Sequence, residues 1–547
     1  MGVAFSKCAK GTPVVDALNE TKPNPRDALA VTTAHQPLLD PKDWLLTETE
    51  ISAARNGAAR YDLAPLSVGN AVTAYASSDE YFEQLLHDLE ATSGPDDFVW
   101  IAGWTLNHEV PLAPQREDYH ETSLCRVLER AVLERGVQVR ALVWANSLER
   151  SQVLASRVWM NSLSRDSGSA LMILDARLPH PTSSHHQKFV IVRRGDTMVA
   201  FLGGLDIALD RWDTILHDQK ALRETRGVKG DSDGWLDAAL RVHGRAVLDV
   251  AATFVARWNS SVQPSKMWQS DLLDFDNPDT FPAVSLPTNA INLPTNGSAV
   301  VQIVRTFSPR KPELYPELAP QGELTILQGR LKAIRNARNF IFIEDQYFFF
   351  MPQLMDALRE ALQRVLRVIV VVQKPTVSSQ SRIAGYEKLV YEMARPLLTE
   401  FPTKFQIYTT KEPRNLYIHT KLVLADDVLL SVSSANWNRR SMTSDSEIGA
   451  TIVDTEKQTN LADGGIQVGA LVRDFRLRKF AELTGQTPSD LAMMSVVESC
   501  DWFSTAASDS ASLIERLEVE PKWNFIVFQE EYTLKVVDPD DLNDVED

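Results

Sequence analysis

Two segments of this chain, SSHHQKFVIV and LYIHTKLVLADD, place a His-x-Lys tripeptide at the head of an apolar, β-type run. The histidines are His186 and His419, separated by 419 − 186 = 233 residues in a chain of 547. On a strand, residues i and i+2 point to one face, so His186 projects with Lys188 and His419 with Lys421. Each copy is followed by a second strand, small residues and a polar side chain: VAFLGGLDIALDRWD carries Asp206, and LLSVSSANWNRRS carries Asn436. A single His-x-Lys is common by chance, and a lone strand histidine is more often packed than catalytic. Repetition of the whole strand-turn-strand unit favours function, and it requires a fold that builds that unit twice.

The surrounding sequence fits two α/β halves. In the first, FVWIAGW and VQVRALVWA read as buried strands around TSLCRVLERAVLERG, whose Leu124, Val127, Leu128 and Ala131 have helical spacing closed by Gly136. In the second, LTILQGRLKAIRNARN and LMDALREALQRVL read as helices, with FIFIEDQYF and RVIVVVQ as strands. Alternation of this kind predicts an α/β layer. Between the halves lies a stretch rich in Pro, Asn, Ser and Asp without a sustained period, a linker by composition. The expected division is an extension over 1–94, a first lobe over 95–262, a linker over 263–297, and a second lobe with an acidic tail over 298–547.

Charge and cysteine usage narrow the function. The net charge of −17 disfavours a general polyanion binder, so no nucleic-acid partner is expected, although a local basic pocket can hold one phosphate. Cys8, Cys125 and Cys500 give neither metal spacing nor a disulfide framework, which suits a reducing, cytoplasmic setting. The N-terminal MGVAFSKCAKGTP has no apolar secretory core, and the longest aliphatic run, Val368 to Val372, is too short to span a bilayer. Gly2 with Ser6 fits the N-myristoylation pattern, and Cys8 is a palmitoylation candidate, so peripheral membrane attachment is an open alternative to chance.

Two histidines brought together across a pseudo-twofold axis can divide a displacement at phosphorus into two steps. One attacks, and the other protonates the leaving oxygen and later deprotonates water. Adjacent lysines and an amide neutralise the phosphate. HExxH, EF-hand and clustered Cys/His patterns are missing from the sequence, so no metal and no cofactor are expected.

These residues resemble the phospholipase D superfamily, whose signature HxKx4D occurs twice. The second copy, from His419 through Lys421 to Asp426, matches fully, and Ser434-Ala-Asn436 through Arg440-Ser441 to Asp445-Ser-Glu447 is similar to its continuation. Further similar segments are Gly203-Gly204-Leu-Asp206, Arg211-Trp-Asp213-Thr214 with His217, Trp235-Leu-Asp237 with Gly244, Val301-Gln302 with Arg305, and Glu344-Asp-Gln346-Tyr347. The resemblance runs over roughly 95 to 535. It implies an α/β fold of two fused α-β-α sandwich lobes related by pseudo-twofold symmetry, with the active site between them. By position it implies that His186 forms a phosphohistidine and that His419 is general acid and base. Asp237 would support His419, Glu447 would support His186, and Lys188, Lys421 and Asn436 would hold phosphoryl oxygens. Gly203, Gly204, Asp206, Ser434, Gln346 and Tyr347 would line the substrate, and Asp426 would be structural.

One departure is Arg193, which stands where the first motif usually carries aspartate. It lies off the His/Lys face at the strand's end, so a substitute hairpin through Arg193-Arg194-Gly195-Asp196 is expected, with a catalytically weak lipid-binding scaffold as the alternative. The resemblance implies a monomeric enzyme acting at a phospholipid bilayer or micelle surface, hydrolysing a phosphatidylcholine-type lipid to phosphatidic acid with possible transfer to alcohols. A phosphatidyltransferase like cardiolipin synthase is the other option. Within the run Tyr347 to Met351, exposed aromatics could dip into an interface, against a buried strand as the bland reading. The loop from Asp218 to Gly234 is either an entrance lid or a passive surface loop.

Overall fold

The computed structural model describes residues 33–60, 62–164, 169–264, 277–287, 291–375, 386–520, 538–540 and 542. Its first half contributes β1 (Ser67–Tyr75), β2 (Phe98–Gly103), β3 (Gln138–Trp144), β4 (Ala170–Asp175), β5 (Phe189–Arg194), β6 (Thr197–Gly203), β7 (Gly234–Leu236) and β8 (Ala239–His243). The second half contributes β9 (Ala299–Phe307), β10 (Glu323–Leu324), β11 (Phe340–Asp345), β12 (Arg367–Val372), β13 (Phe405–Thr410), β14 (Leu416–Ile418), β15 (Lys421–Ala425), β16 (Leu429–Ser433) and β17 (Glu447–Asp454).

Apart from β7 and β14, which pair with each other, these strands form one sheet. Outward from its centre the first lobe runs β1-β8-β6-β5-β2-β3-β4 and the second β9-β17-β16-β15-β11-β12-β13. The two orders superpose strand for strand, and the lobes meet where β1 pairs antiparallel with β9. This is the duplicated α/β architecture expected from the repeat. The parallel strands β2, β3 and β4, and likewise β11, β12 and β13, need crossovers, which are helical: Leu124–Glu129 and Arg150–Ser162 in one lobe, Pro352–Leu362 and Tyr386–Glu400 in the other. Helices on both faces explain why β2, β3 and β12 read as near-continuous apolar runs. Gly136 does close the first crossover, in the left-handed region at φ 74°.

Helices Ala246–Trp258 and Ala470–Thr484 follow β8 and β17 and pack into a shared central core through Val250, Phe254, Phe475 and Phe480. Each lobe has a second core on its outer face. The 1–94 segment, read from sequence as an extension, supplies the first lobe's seam strand β1 and the helix Ser78–Glu90 that leads to β2. Upstream of β1, Trp44 and Leu45 bury against the second lobe, and the Leu46 N–H donates to Gln302 Oε1 at 2.9 Å. Gly2 and Cys8 lie outside the described residues. The described parts of 263–297 contain no helix or strand. Among the described residues no helix is long and apolar enough to cross a membrane.

Candidate active site

The two off-sheet strands position the second histidine. β7 and β14 pair in parallel, with Leu236 opposite Ile418, and the His419 N–H donates to the Leu236 carbonyl at 2.9 Å. The first histidine is set the same way by a bridge between His185 and Ser446, where the His186 N–H donates to the Ser446 carbonyl at 2.9 Å. In each case the residue that follows the accepting carbonyl is acidic, and it comes from the opposite lobe. His419 Nδ1 lies 2.7 Å from Asp237 Oδ2, and His186 Nδ1 lies 3.0 and 3.1 Å from the two Glu447 oxygens. A carboxylate at Nδ1 fixes the Nδ1–H tautomer and leaves Nε2 for chemistry.

The lysines follow two residues later, Lys188 just before β5 and Lys421 as the first residue of β15. Lys188 Nζ donates to the His186 carbonyl at 3.1 Å and lies 3.2 Å from Asp206 Oδ2. Lys421 donates to the His419 carbonyl and, at 3.3 Å, to Gln346 Oε1. Each ammonium has three N–H donors, so each retains capacity for a phosphoryl oxygen. Asn436 is buried, and its Oδ1 has no hydrogen-bond partner among the described residues.

Several residues expected to line the substrate have structural ties. Asp206 Oδ1 accepts the Trp104 and Thr105 N–H groups at 2.8 and 3.2 Å, which makes it the anchor of Lys188. Gly204 lies against the Asp237 carboxylate, since a Cβ there would sit 2.0 Å from Asp237 Oδ1. At the equivalent place in the other lobe, Ser434 Oγ donates to Glu447 Oε2. Gly203, at φ 153°, closes on the Ala238 carbonyl, 2.6 Å from where its Cβ would be. Gln346 Nε2 donates to the Tyr417 hydroxyl at 2.7 Å and to the Tyr347 hydroxyl at 3.2 Å, so its amide links Lys421 to an aromatic wall.

Three members of that wall come in addition to the expected site residues. Trp235 stacks on Tyr417 with centroids 4.9 Å apart and tilts over His419 at 5.0 Å, and the Arg211 guanidinium sits 4.0 Å above the Trp235 ring. Trp235 Nε1 also donates to Asp237 Oδ2 at 3.2 Å. Strand parity points to two of them, because Trp235 precedes Asp237, and Tyr417 precedes His419, by two residues.

Burial sets the protonation balance. It lowers both histidines well below their usual range, an effect increased by Lys188 at His186 and by Lys421 at His419. Burial also raises Asp237 and Glu447 to about 7 and pulls Lys421 down to about 7. A proton held by the acid or by its imidazole gives the pair the same net charge, so each dyad is a store for one proton near neutrality.

Asp426 occupies a turn at φ 55° and accepts three backbone N–H groups, from Arg338, Asn339 and Phe340, at 2.7 to 2.9 Å. It therefore fastens the start of β11 to the end of β15. In the first lobe Arg193 replaces it, and the bond runs the other way. Asp97, next to the start of β2, accepts the Gly195 N–H at 2.6 Å and the Ser93 N–H at 2.6 Å. Gly195, at φ 59°, makes the expected hairpin with Arg194 opposite Thr197.

The outer features are packed. Phe348, Phe349 and Met351 are buried in the second lobe's core. The loop from Asp218 to Gly234 contains a short helix, Lys220–Thr225, whose buried Arg223 bonds the carbonyls of Trp212, Ser232 and Asp210. Arg223 ties the middle of the loop to both of its flanks, which favours the passive reading over a lid.

Residues 91–376, just over half of the chain, match the family model described as Phospholipase D, and residues 331–463 match one described as Cardiolipin synthase, PLD-like domain. Phospholipase D A of Dictyostelium discoideum is 24% identical over 493 residues, covering 76% of this chain and 36% of that protein. Phospholipase D2 of Bos taurus is 23% identical over 491 residues, covering 71% of this chain and 50% of that protein. The chain thus spans between a third and a half of the length of these curated relatives. A phosphatidylserine synthase structure from Haemophilus influenzae Rd KW20 aligns with a TM-score of 0.46 at 12% identity, covering 70% of this chain and 82% of that one.

Proposed function

The chain belongs to the phospholipase D family, and from that premise we propose that it hydrolyses the head-group ester of a phosphatidylcholine-type glycerophospholipid to phosphatidic acid. The observation that carries the proposal is the pair of buried imidazole–carboxylate contacts, His186 with Glu447 and His419 with Asp237, each made between lobes.

The phosphodiester anion enters between Lys188 and Lys421, whose charge offsets its own. His186 Nε2 attacks phosphorus, and the bond from phosphorus to the head-group oxygen breaks. The proton stored on the His419–Asp237 pair passes from His419 Nε2 to that oxygen, and the head group leaves as an alcohol. His419, now neutral, takes a proton from water; the resulting oxygen attacks phosphorus, and the phosphorus–nitrogen bond breaks. Phosphatidic acid departs and both dyads return to their starting protonation. Lysine and amide donors stabilise the charge that builds on the equatorial oxygens.

A second reading, transfer to an alcohol in place of water, is favoured by the match of 331–463 to the cardiolipin synthase model. The scaffold reading loses support because Asp97 replaces the missing motif aspartate as the strand fastener. The test is incubation with phosphatidylcholine and a primary alcohol. Phosphatidylalcohol and phosphatidic acid are expected from the wild type and from neither His186→Ala nor His419→Ala. Absence of product with micelles and with vesicles would sink the proposal. Cleavage of single-stranded DNA lost in the same variants would point to a nuclease instead.

A further inference from the structure

Behind Thr420, the residue between His419 and Lys421, runs a buried line of charged side chains that the steps above do not use. Thr420 Oγ1 donates to Glu344 Oε1. Lys479 Nζ lies 2.8 Å from that same oxygen and 2.6 Å from Glu482 Oε2. The other Glu482 oxygen is 3.0 Å from His217 Nε2, and His217 Nδ1 is 2.6 Å from Asp213 Oδ2. Asp213 Oδ2 accepts the Trp235 N–H at 2.7 Å, two residues before Asp237. All five charged side chains are buried.

Both ring nitrogens of His217 face carboxylate oxygens, so both donate at neutral pH, where the ring is an imidazolium. The line therefore alternates in sign, from Glu344 through Lys479, Glu482 and His217 to Asp213. It begins on β11 and helix Ala470–Thr484 of one lobe and ends in the other lobe. His217 sits at φ 50°, a conformation a non-glycine residue keeps only when its surroundings hold it there. With the β7–β14 pair, the line closes a ring of contacts around His419 and Asp237. The His186 side is built differently: Gln187 stands in Thr420's place, accepts from Arg257 at 2.8 Å, and donates to the Glu447 carbonyl at 3.1 Å. Arg257 then pairs with Asp175 of the same lobe at 2.9 Å.

We propose that Glu344, Lys479, Glu482, His217 and Asp213 are positioning residues that hold His419 in register with Asp237 and so govern proton delivery, without contacting substrate. The proposal rests on His419 carrying the proton in both steps. A strongly acidic leaving group needs no proton in the first step, whereas attack by water in the second step still does. Damage to the frame should therefore appear in the second step alone when the head group is p-nitrophenol.

The experiment uses the full chain with phosphatidyl-p-nitrophenol, measuring burst release of p-nitrophenol, steady-state turnover, and acid-labile phosphohistidine. Thr420→Val, which is isosteric, and Glu482→Gln are expected to keep the burst within about 3-fold, lower turnover by roughly 10-fold or more, lower KM in step so that kcat/KM stays within about 3-fold, and accumulate phosphoenzyme. Lys479→Arg, which keeps the cation, is expected to recover turnover lost in Lys479→Met. Burst and turnover falling in proportion, or neither changing in variants of unaltered melting temperature, would overturn the frame. A wild type that forms no phosphoenzyme would remove the catalytic reading together with it, whereas a wild-type burst with unaffected variants removes the frame alone.

Discussion

Asp237 Oδ2 and His419 Nδ1 lie 2.7 Å apart although 182 residues separate them in sequence, and the strands that end just before them pair in parallel. The Asp237→Asn variant keeps the shape but lets an amide compete for the imidazole, removing the bias to the Nδ1–H tautomer. The turnover number is expected to fall about 10²- to 10⁴-fold, with melting temperature little changed. Activity near wild type in a folded variant would remove Asp237 from the proton store.

The protonation balance sets a pH profile. Above about 7 the His419–Asp237 pair loses its proton, which removes the general acid, and Lys421 loses the charge that holds the phosphate; protonating the His186–Glu447 pair below about 7 blocks the nucleophile. A bell-shaped kcat/KM with its maximum near neutrality is expected, and Asp237→Asn should displace the alkaline limb alone. The acidic limb shifting in that variant would reverse the assignment of roles.

At Gly204 there is no room for a side chain, because a Cβ would sit 2.0 Å from Asp237 Oδ1. Gly204→Ala is expected to push the carboxylate off the imidazole and cost at least about 10-fold in turnover while KM holds. Substrate binding lost with turnover intact would show that this glycine contacts lipid.

Strand fastening is a stability matter. Asp97→Ala leaves the Ser93 and Gly195 N–H groups without their acceptor and should destabilise by about 2 kcal/mol, and Asp426→Ala, with three such donors, by about 3 kcal/mol or more. Arg193→Asp should leave turnover within about 3-fold, since Asp97 already holds that strand. A large rate gain in Arg193→Asp would instead mark the wild-type motif as crippled. Urea titration and initial rates separate these outcomes.

His217 makes stability fall in alkali. Burial opposes its charge, but the carboxylates of Asp213 and Glu482 overcome that and raise it to about 9. Its contribution, about 3 kcal/mol at most, is present in full below the unfolded value near 6.5 and is lost as pH rises through 9. Melting temperature should drop between pH 7 and 10 in the wild type and stay flatter in His217→Gln; identical slopes would contradict this.

What could be read from the sequence follows from where repetition and burial act together. Strands β2, β3, β11 and β12 are covered on both faces, so they stand out as apolar runs, and the copied His-x-Lys exposes its own function by recurring. The seam strand β1 was illegible because Gly69, at φ 74°, and Asn70 interrupt its alternation where its register with β9 shifts. Asp97 was equally hidden: its partner, the Gly195 N–H, is 98 residues away and carries no side-chain signal. Trp235 and Tyr417 follow from parity once the acid and the histidine are placed.

Continuity of the sheet through β1 and β9 has a consequence for how the molecule comes apart. The central core takes residues from both lobes, and each histidine depends on the other lobe for its acid. Melting either half exposes that core and strips the surviving half of its carboxylate, so loss of structure and loss of activity should coincide in one cooperative transition. No long-lived, half-folded species can retain one competent dyad.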